Sequence, residues 1–127
     1  MITAPHDPQA FYANSMAAAP DAVRGFYTAL TQQDARKLRM VLSDEFTFES
    51  PLASFDSPES FIQMVGSFGG WVETSRIIVD GDQVAHTFTY HMTAPGKADI
   101  PMCEVFELKG GKLVSSRAYN NPADFPS

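Results

Sequence analysis

The stretch PMCEVFELKGGKLVSSRAYNN, residues 101–121, carries two runs of alternating apolar and polar side chains around a pair of glycines. Alternation with a period of two is typical of β-strands that bury one face, and a glycine pair between two such runs favours a tight turn. Taken every second residue, the first run is apolar except at Glu104. The stretch therefore predicts a hairpin with strands over 100–109 and 112–120, and it places a carboxylate on the face that builds the core.

The residues before this hairpin extend it into an antiparallel meander. Strands are predicted over 71–79 and 83–92, joined by Asp-Gly-Asp, a strong hairpin sequence. A shorter strand, FTFES at 46–50, precedes them and is stopped by Pro51.

Three helices are predicted ahead of the meander. The first, DAVRGFYTALTQQ from Asp21, spaces its apolar residues as one buried stripe. Asp34 can cap the second, DARKLRMVLSDEF, which turns Leu38, Val41 and Leu42 inward, and Ser57 followed by proline opens the third. Helices followed by a meander indicate an α+β fold in which the helices pack on one face of a curved antiparallel sheet.

The chain length suits one domain. Residues 21–127 are expected to form it, and residues 1–20 an Ala- and Pro-rich extension in which Asp7-Pro8 can start a short helix to about Met16. The formal net charge of −6 argues against a nucleic-acid or anionic-membrane partner. Cys103 is the single cysteine, which favours a reducing compartment and a cytoplasmic location, and no stretch is apolar enough to predict a membrane span.

Three motifs carry a resemblance to a known family: FYTALTQQDARKLRMVLSDEFTFESP at 26–51, VDGDQVA at 79–85 and FELKGGKLVSSRAY at 106–119. Together they resemble the nuclear transport factor 2-like superfamily, especially its SnoaL-like and ketosteroid isomerase branch. The resemblance implies a cone, in which a strongly bent sheet wraps around three helices and opens to a pocket. It also implies a homodimer, and exposed apolar side chains of the outer sheet face such as Val105 would mark the contact.

Glu104 is the first candidate for chemistry. A buried carboxylate must be paired, hydrogen-bonded or held neutral, and desolvation would raise its pKa. The resemblance places Glu104 where the ketosteroid isomerases carry the protonated Asp of their oxyanion hole. The alternative is a structural acid satisfied by a nearby Arg or Tyr, or one at the wet mouth of the cone.

The other isomerase groups are replaced. Ser50 stands where the resemblance puts the catalytic base, and strand alternation points the neighbouring Glu49 to the other face. The first-helix Tyr of the isomerases falls on Phe26, while Tyr27 is rotated about 100° around the helix. Steroid isomerisation by that mechanism is therefore not expected.

His86 and Tyr90 share one face of the second meander strand and are expected to look toward one region. His86 could shuttle protons against Glu104 or orient a substrate carbonyl; the alternative is a core histidine satisfied by the backbone or by Tyr90. His91 points to the opposite face, so no metal site is expected.

Every second residue of the last strand, from Val114 through Ser116 to Asn120, is expected from the resemblance to face the cavity. Ser116 and Asn120 could supply neutral hydrogen bonds there. Epoxide hydrolases of this fold end the strand with Arg-x-Tyr-x-Asp; here Asn121 takes the place of the acid. That site is therefore incomplete as well.

The predicted function is a pocket for a small hydrophobic molecule, without a cofactor. One hypothesis is an acid–base isomerase, cyclase or dehydratase acting on a carbonyl compound, with Glu104 and His86 catalytic and with Tyr27, Ser50 and Asn120 positioning the substrate. The other is a binding or interaction module with no turnover. Aromatic residues that would line the cavity, each of which could instead be core, are Phe26, Phe48, Phe68, Trp71, Phe88 and Phe106.

Overall fold

The computed structural model describes residues 16–126. The short helix expected from Asp7 lies, but for Met16, outside these residues. No helix of the described part is long and apolar enough to cross a membrane.

The three predicted helices are present. They are α1 (Asp21–Gln32), α2 (Ala35–Val41) and α3 (Pro58–Val65). Asp34 caps α2 by accepting a hydrogen bond from the Lys37 amide, and Ser57 caps α3 by accepting one from the Ser60 amide. The second helix was predicted too long, because the chain is already extended from Leu42 onward.

Six strands of residues 16–126 form one curved, open sheet. In chain order they are β1 (Leu42–Glu49), β2 (Ser54–Phe55), β3 (Gly69–Asp80), β4 (Gln83–Ala94), β5 (Ala98–Lys109) and β6 (Lys112–Tyr119), followed by a 3-10 turn at Pro122–Asp124. Their order in the sheet is β2-β1-β6-β5-β4-β3. Neighbouring strands are antiparallel except β1 and β6, which pair in parallel. The α+β cone expected from the sequence is confirmed, with one parallel pair that the meander pattern does not predict.

A bulge in the β5–β6 hairpin changes which residues of β6 face inward. Glu107 pairs with Ser115, whereas Leu108 pairs with Leu113. Leu113 is therefore fully buried and Val114 is only half-buried. The expectation that Val114 points inward is wrong, because an extra residue in one strand inverts the alternation on one side of it.

The core lies between the helices and the inner face of the sheet. Its centre is aromatic: the Phe26 ring of α1 stacks on Phe61 of α3 at 5.9 Å and meets Phe106 of β5 edge-on at 5.1 Å. All three side chains are almost completely excluded from solvent. Each contributes about 2–3 kcal/mol through burial. This packing fixes α1 against the sheet and so fixes the groups of α1 that face the cavity.

Candidate functional site

A cavity of about 230 Å³ opens between α1, α3 and the inner face of the sheet. Its wall is mostly apolar, and Glu104 is the one ionisable acid or base, apart from tyrosine, among the described residues that line it. The residues predicted for the site that do line the cavity are Phe26, Tyr27, Phe48, Ser50, Phe68, Trp71, Phe88, Tyr90, Glu104 and Asn120.

Glu104 receives two hydrogen bonds from side chains on different elements. The Tyr27 hydroxyl donates to its Oε1 at 2.7 Å, and the Ser116 hydroxyl donates to its Oε2 at 2.5 Å. Burial raises the pKa of the Glu104 carboxyl, and the bonds from Ser116 and Tyr27 partly oppose that rise. Burial, together with the nearby Glu104 carboxylate, also raises the pKa of the Tyr27 phenol well above its usual value. The carboxyl is thus satisfied by neutral donors rather than by a cation.

The fold explains why Tyr27 reaches the acid and Phe26 does not. Both residues of α1 are buried, but they point about 100° apart around the helix. Phe26 turns to the aromatic core, so Tyr27 is left facing Glu104 in the middle of β5. The phenol that bonds to the acid therefore belongs to Tyr27, one residue after Phe26.

His86 lies behind Tyr27 and does not line the cavity. It pairs across β4 and β5 with Glu104, its Nε2 lies 2.9 Å from the Thr74 hydroxyl, and its Nδ1 has no partner within the described residues. Its ring stacks on Phe88 at 4.4 Å and meets the Tyr27 ring edge-on at 4.7 Å. Burial lowers the pKa of His86 to about 4, so the imidazole is neutral at pH 7.

His86 and Tyr90 were expected to face one region, but only Tyr90 lines the cavity. Its hydroxyl donates to the carbonyl of Gly69 at 3.1 Å. The partner of His86 is Thr74 of β3, rather than the backbone or Tyr90 that the sequence suggested. No sequence pattern indicates that contact, because it depends on the β3–β4 register.

Two neutral polar side chains reach the cavity from strand ends. The Ser50 hydroxyl accepts hydrogen bonds from the Leu52 and Ala53 amides and donates to the Ala53 carbonyl, so it holds the turn after β1. Asn120, just after β6, also lines the cavity, and its Nδ2 is buried without an acceptor among the described residues. Asn120 therefore has an unused donor where Ser50 has none.

Phe106 and Ser116 do not line the cavity. The Phe106 ring is completely buried in the core, and Ser116 lies behind Glu104 as its hydrogen-bond donor. Direct contact of both residues with a ligand stays a prediction; in the structure Phe106 packs against Phe26 of α1 and Ser116 bonds to Glu104. Ser116 remains connected to the site through the carboxylate.

Trp71 borders the cavity, but its ring is half-exposed and stacks on His91 at 4.1 Å. The two nitrogens of His91 lie 2.6 Å from an Asp99 oxygen and 2.8 Å from a Glu73 oxygen. Because carboxylates only accept hydrogen bonds, this geometry suits a protonated imidazole, and the hydrogen bonds to Asp99 and Glu73 raise the pKa of His91.

No group of three metal-ligating side chains occurs in the described part of the chain.

Phe125 is a lining residue that the sequence reasoning missed. Asn121 caps the final turn by accepting a hydrogen bond from the Ala123 amide, which bends the chain back across the cavity. An added Cβ at Gly96, in the β4–β5 loop, would lie only 3.1 Å from Pro126, which shows how closely this segment packs there. The Asn-Pro pair at 121–122 is a turn signal that could have indicated the bend.

Fold and site together define a nuclear transport factor 2-like cone with a buried acid in its cavity. The profile of the SnoaL-like domain matches residues 23–116, which is most of the chain, and the chain belongs to that family. The resemblance inferred from the motifs is thereby confirmed. No curated protein matches the sequence significantly.

Several solved structures share the fold. An NTF2-like protein of unknown function from Cytophaga hutchinsonii superimposes with a TM-score of 0.73 at 19% identity, covering 81% of this chain and 89% of that one. An LEH-like epoxide hydrolase from M. tuberculosis gives 0.73 at 24% identity, covering 81% and 82%. A protein with a ketosteroid isomerase-like fold from Catenulispora acidiphila, in complex with trimethylamine, gives 0.70 at 16% identity, covering 84% and 90%. At these identities the likeness establishes the fold alone.

Proposed function

We propose that this protein binds a small hydrophobic carbonyl compound in the cavity and rearranges it by acid–base chemistry at Glu104, using only its own side chains. A single buried carboxyl with neutral hydrogen-bond donors around it suits isomerisation, cyclisation or dehydration. One observation carries the proposal: a carboxyl that lines an apolar cavity, is held by two neutral hydroxyls and has its pKa raised by burial.

The chemistry follows from that environment. A carboxyl with an ordinary pKa is a weak base at neutral pH, whereas one with a raised pKa exchanges protons more effectively near pH 7. Tyr27 and Ser116 fix the orientation of the carboxylate because each bonds to a different oxygen. In this proposal His86 contributes by supporting the Tyr27 ring from behind, since its own nitrogens do not reach the cavity.

The epoxide hydrolase among the structural neighbours supports a small-molecule function more than that particular reaction. The residue that stands in place of the terminal acid, Asn121, is exposed and caps the C-terminal turn. Opening an epoxide with a paired acid and Arg is therefore less consistent with this site than proton transfer at a single buried acid.

The second candidate is a binding module without turnover. It is favoured because the Ser50 and Tyr90 hydroxyls already donate to backbone carbonyls, which leaves few groups free for catalysis.

For either function we propose a homodimer through the outer sheet face, where Tyr119 is half-exposed beside Val105. We also propose a cytoplasmic location, which suits the free Cys103. Light scattering of the purified protein would give the mass of the assembly.

A ligand screen with a catalytic readout separates the two candidates. Cyclic ketones of one or two rings would be tested for thermal stabilisation of the protein and, by NMR, for conversion to product. Binding without turnover supports the module. Turnover with a bell-shaped pH dependence, lost in Glu104→Gln and retained in the exposed-site control Gln83→Ala, supports the enzyme. Neither binding nor turnover across the series would overturn the proposed function.

A further inference from the structure

Four hydroxyl donors in the cavity wall or directly behind it already have an acceptor. The hydroxyls of Tyr27 and Ser116 donate to Glu104. Those of Tyr90 and Ser50 donate to backbone carbonyls. Each of these protons has an acceptor within the protein, so binding a ligand through one of them would require a bond to be broken.

Asn120 differs from this group. Its side chain lines the cavity, and its buried Nδ2 has no acceptor among the described residues. A buried donor left unsatisfied costs about 1–3 kcal/mol. A ligand oxygen that meets the NH₂ group would remove that cost, and rotation about the Cβ–Cγ bond is the movement that can turn this group toward the cavity. The second unpartnered buried nitrogen, Nδ1 of His86, belongs to a residue that does not line the cavity.

The sheet register places Asn120 near Glu104. Ala118 of β6 pairs directly with Glu104 of β5, and Asn120 follows two residues later on the same face. The Cα atoms of diagonal neighbours on adjacent strands lie about 7–8 Å apart. That separation fits a ligand whose acceptor oxygen meets Asn120 while a carbon one or two bonds away from its carbonyl approaches the carboxylate.

Building on the proposed function, we propose that Asn120 donates the hydrogen bond that binds the ligand oxygen and that Glu104 is the proton acceptor. These roles are the reverse of those implied by the isomerase resemblance, in which the acid at the position of Glu104 donates the hydrogen bond to the ligand oxygen. The reason is that both Glu104 oxygens already accept hydrogen bonds, as suits a carboxylate, while Asn120 carries the buried donor that has no acceptor among the described residues lining the cavity. The substrate class is an uncharged cyclic ketone with acidic hydrogens next to its carbonyl.

The proton-transfer step balances without a further reactant. The Glu104 carboxylate takes a proton from the carbon next to the carbonyl, the C–H electron pair forms a carbon–carbon double bond, and the carbonyl π pair moves to the oxygen bound by Asn120. Glu104 then returns the proton to the same carbon or to a conjugated one. If the protonated Glu104 first exchanges its proton with D₂O, return to the same carbon incorporates deuterium, and return to the conjugated carbon gives an isomer.

The probe for this proposal is 2-tetralone, with the hydrocarbon tetralin as its matched control. A cavity of about 150 Å³ lined by apolar side chains holds benzene, so the larger cavity of about 230 Å³ suits a compact two-ring compound. The two probes have similar shapes, but only 2-tetralone has an oxygen and exchangeable hydrogens. Dissociation constants and the rate of hydrogen–deuterium exchange in D₂O would be measured by NMR.

Distinct results are expected for each residue. Asn120→Ala should weaken 2-tetralone binding about threefold to tenfold and leave tetralin binding unchanged. Asn120→Leu, which keeps the branching and the number of side-chain heavy atoms but has no donor, should reproduce this if the alanine variant folds poorly. Glu104→Gln should keep 2-tetralone binding but slow the exchange about 100-fold or more. Gln83→Ala, which removes an amide from an exposed position of the same sheet, should match the wild type.

The outcomes separate this inference from the proposed function. Equal losses for both probes, or no loss for either, in the folded Asn120 variants would overturn the donor role. Exchange that persists in Glu104→Gln, or that wild type does not catalyse despite binding 2-tetralone, would overturn the base role. Failure of wild type to bind either probe would instead count against the proposed ligand class and thus against the proposed function itself.

Discussion

Replacing Tyr27 by phenylalanine isolates one contact of the site. The substitution removes the hydroxyl that donates to Glu104 Oε1 at 2.7 Å and leaves the ring, which packs edge-on against Phe106 and His86. A hydrogen bond to a neutral group contributes about 0.5–1.5 kcal/mol to stability, and one to a charged group about 1.5–3 kcal/mol. The cost of Tyr27→Phe should therefore depend on whether Glu104 is ionised.

The dependence on pH has a definite sign. The bond from Tyr27 lowers the pKa of Glu104 against the larger effect of burial. Without it the folded-state pKa rises further above the unfolded value, so more stability is lost as pH increases. The deficit of Tyr27→Phe should thus be about 1 kcal/mol at pH 4.5 and should approach about 2–3 kcal/mol once pH exceeds the folded-state pKa.

Urea unfolding at pH 4.5, 6 and 8 would measure this deficit through the transition midpoint and the slope. Gln83→Ala, at an exposed position of the same sheet, is the control, and it should change stability by less than about 0.5 kcal/mol. A deficit that stays constant from pH 4.5 to 8, or that matches the control, would refute the claim that Tyr27 supports an ionising Glu104.

Three further predictions concern the cavity and the residues around it. Gly70→Ala should cost about 2–4 kcal/mol in unfolding free energy, because Gly70 has φ of +152° and an added Cβ would lie 2.4 Å from the His91 carbonyl oxygen; a cost no larger than that of Gly81→Ala, which meets nothing within 4 Å, would contradict the reasoning. In an NMR titration His86 should stay neutral to about pH 4 while His91 titrates above 6.5, and a His86 midpoint near 6.5 would show that it is not buried. Phe125→Ala should weaken 2-tetralone binding by about 1 kcal/mol with little effect on unfolding by urea, whereas unchanged affinity would show that the C-terminal turn does not close the cavity.

The position of Glu104 could be predicted from the sequence because it depends on local alternation. Period two in β4 and β5 is regular, so the inward direction of Glu104 and His86 follows from counting residues. The same counting fails for Val114, where the bulge opposite Glu107 and Leu108 inverts it. Counting residues therefore predicts which side chains of a regular strand face the core, but only up to the first bulge.

Contacts between distant elements could not be predicted in this way. The choice of Tyr27 over Phe26 as the partner of Glu104 depends on the rotation of α1, which is set by how Phe26 packs on Phe61. The burial of His86 beside Thr74 depends on the β3 register, which shifts between Thr74 and Arg76. Such features are properties of packing across the core, and no single stretch of sequence carries them.

The most direct test of the account compares unfolding of wild type and Glu104→Gln between pH 4.5 and 8. Because burial raises the folded-state pKa of Glu104, wild type should lose about 1.4 kcal/mol per pH unit above the usual value of 4.5 until the folded pKa is passed. Glutamine keeps the shape of the protonated acid and cannot ionise. The account predicts that Glu104→Gln is the more stable protein at pH 8 and that the difference shrinks toward pH 4.5. If the variant is less stable than wild type at every pH above 5, Glu104 is an ionised structural acid and not a carboxyl poised for proton transfer.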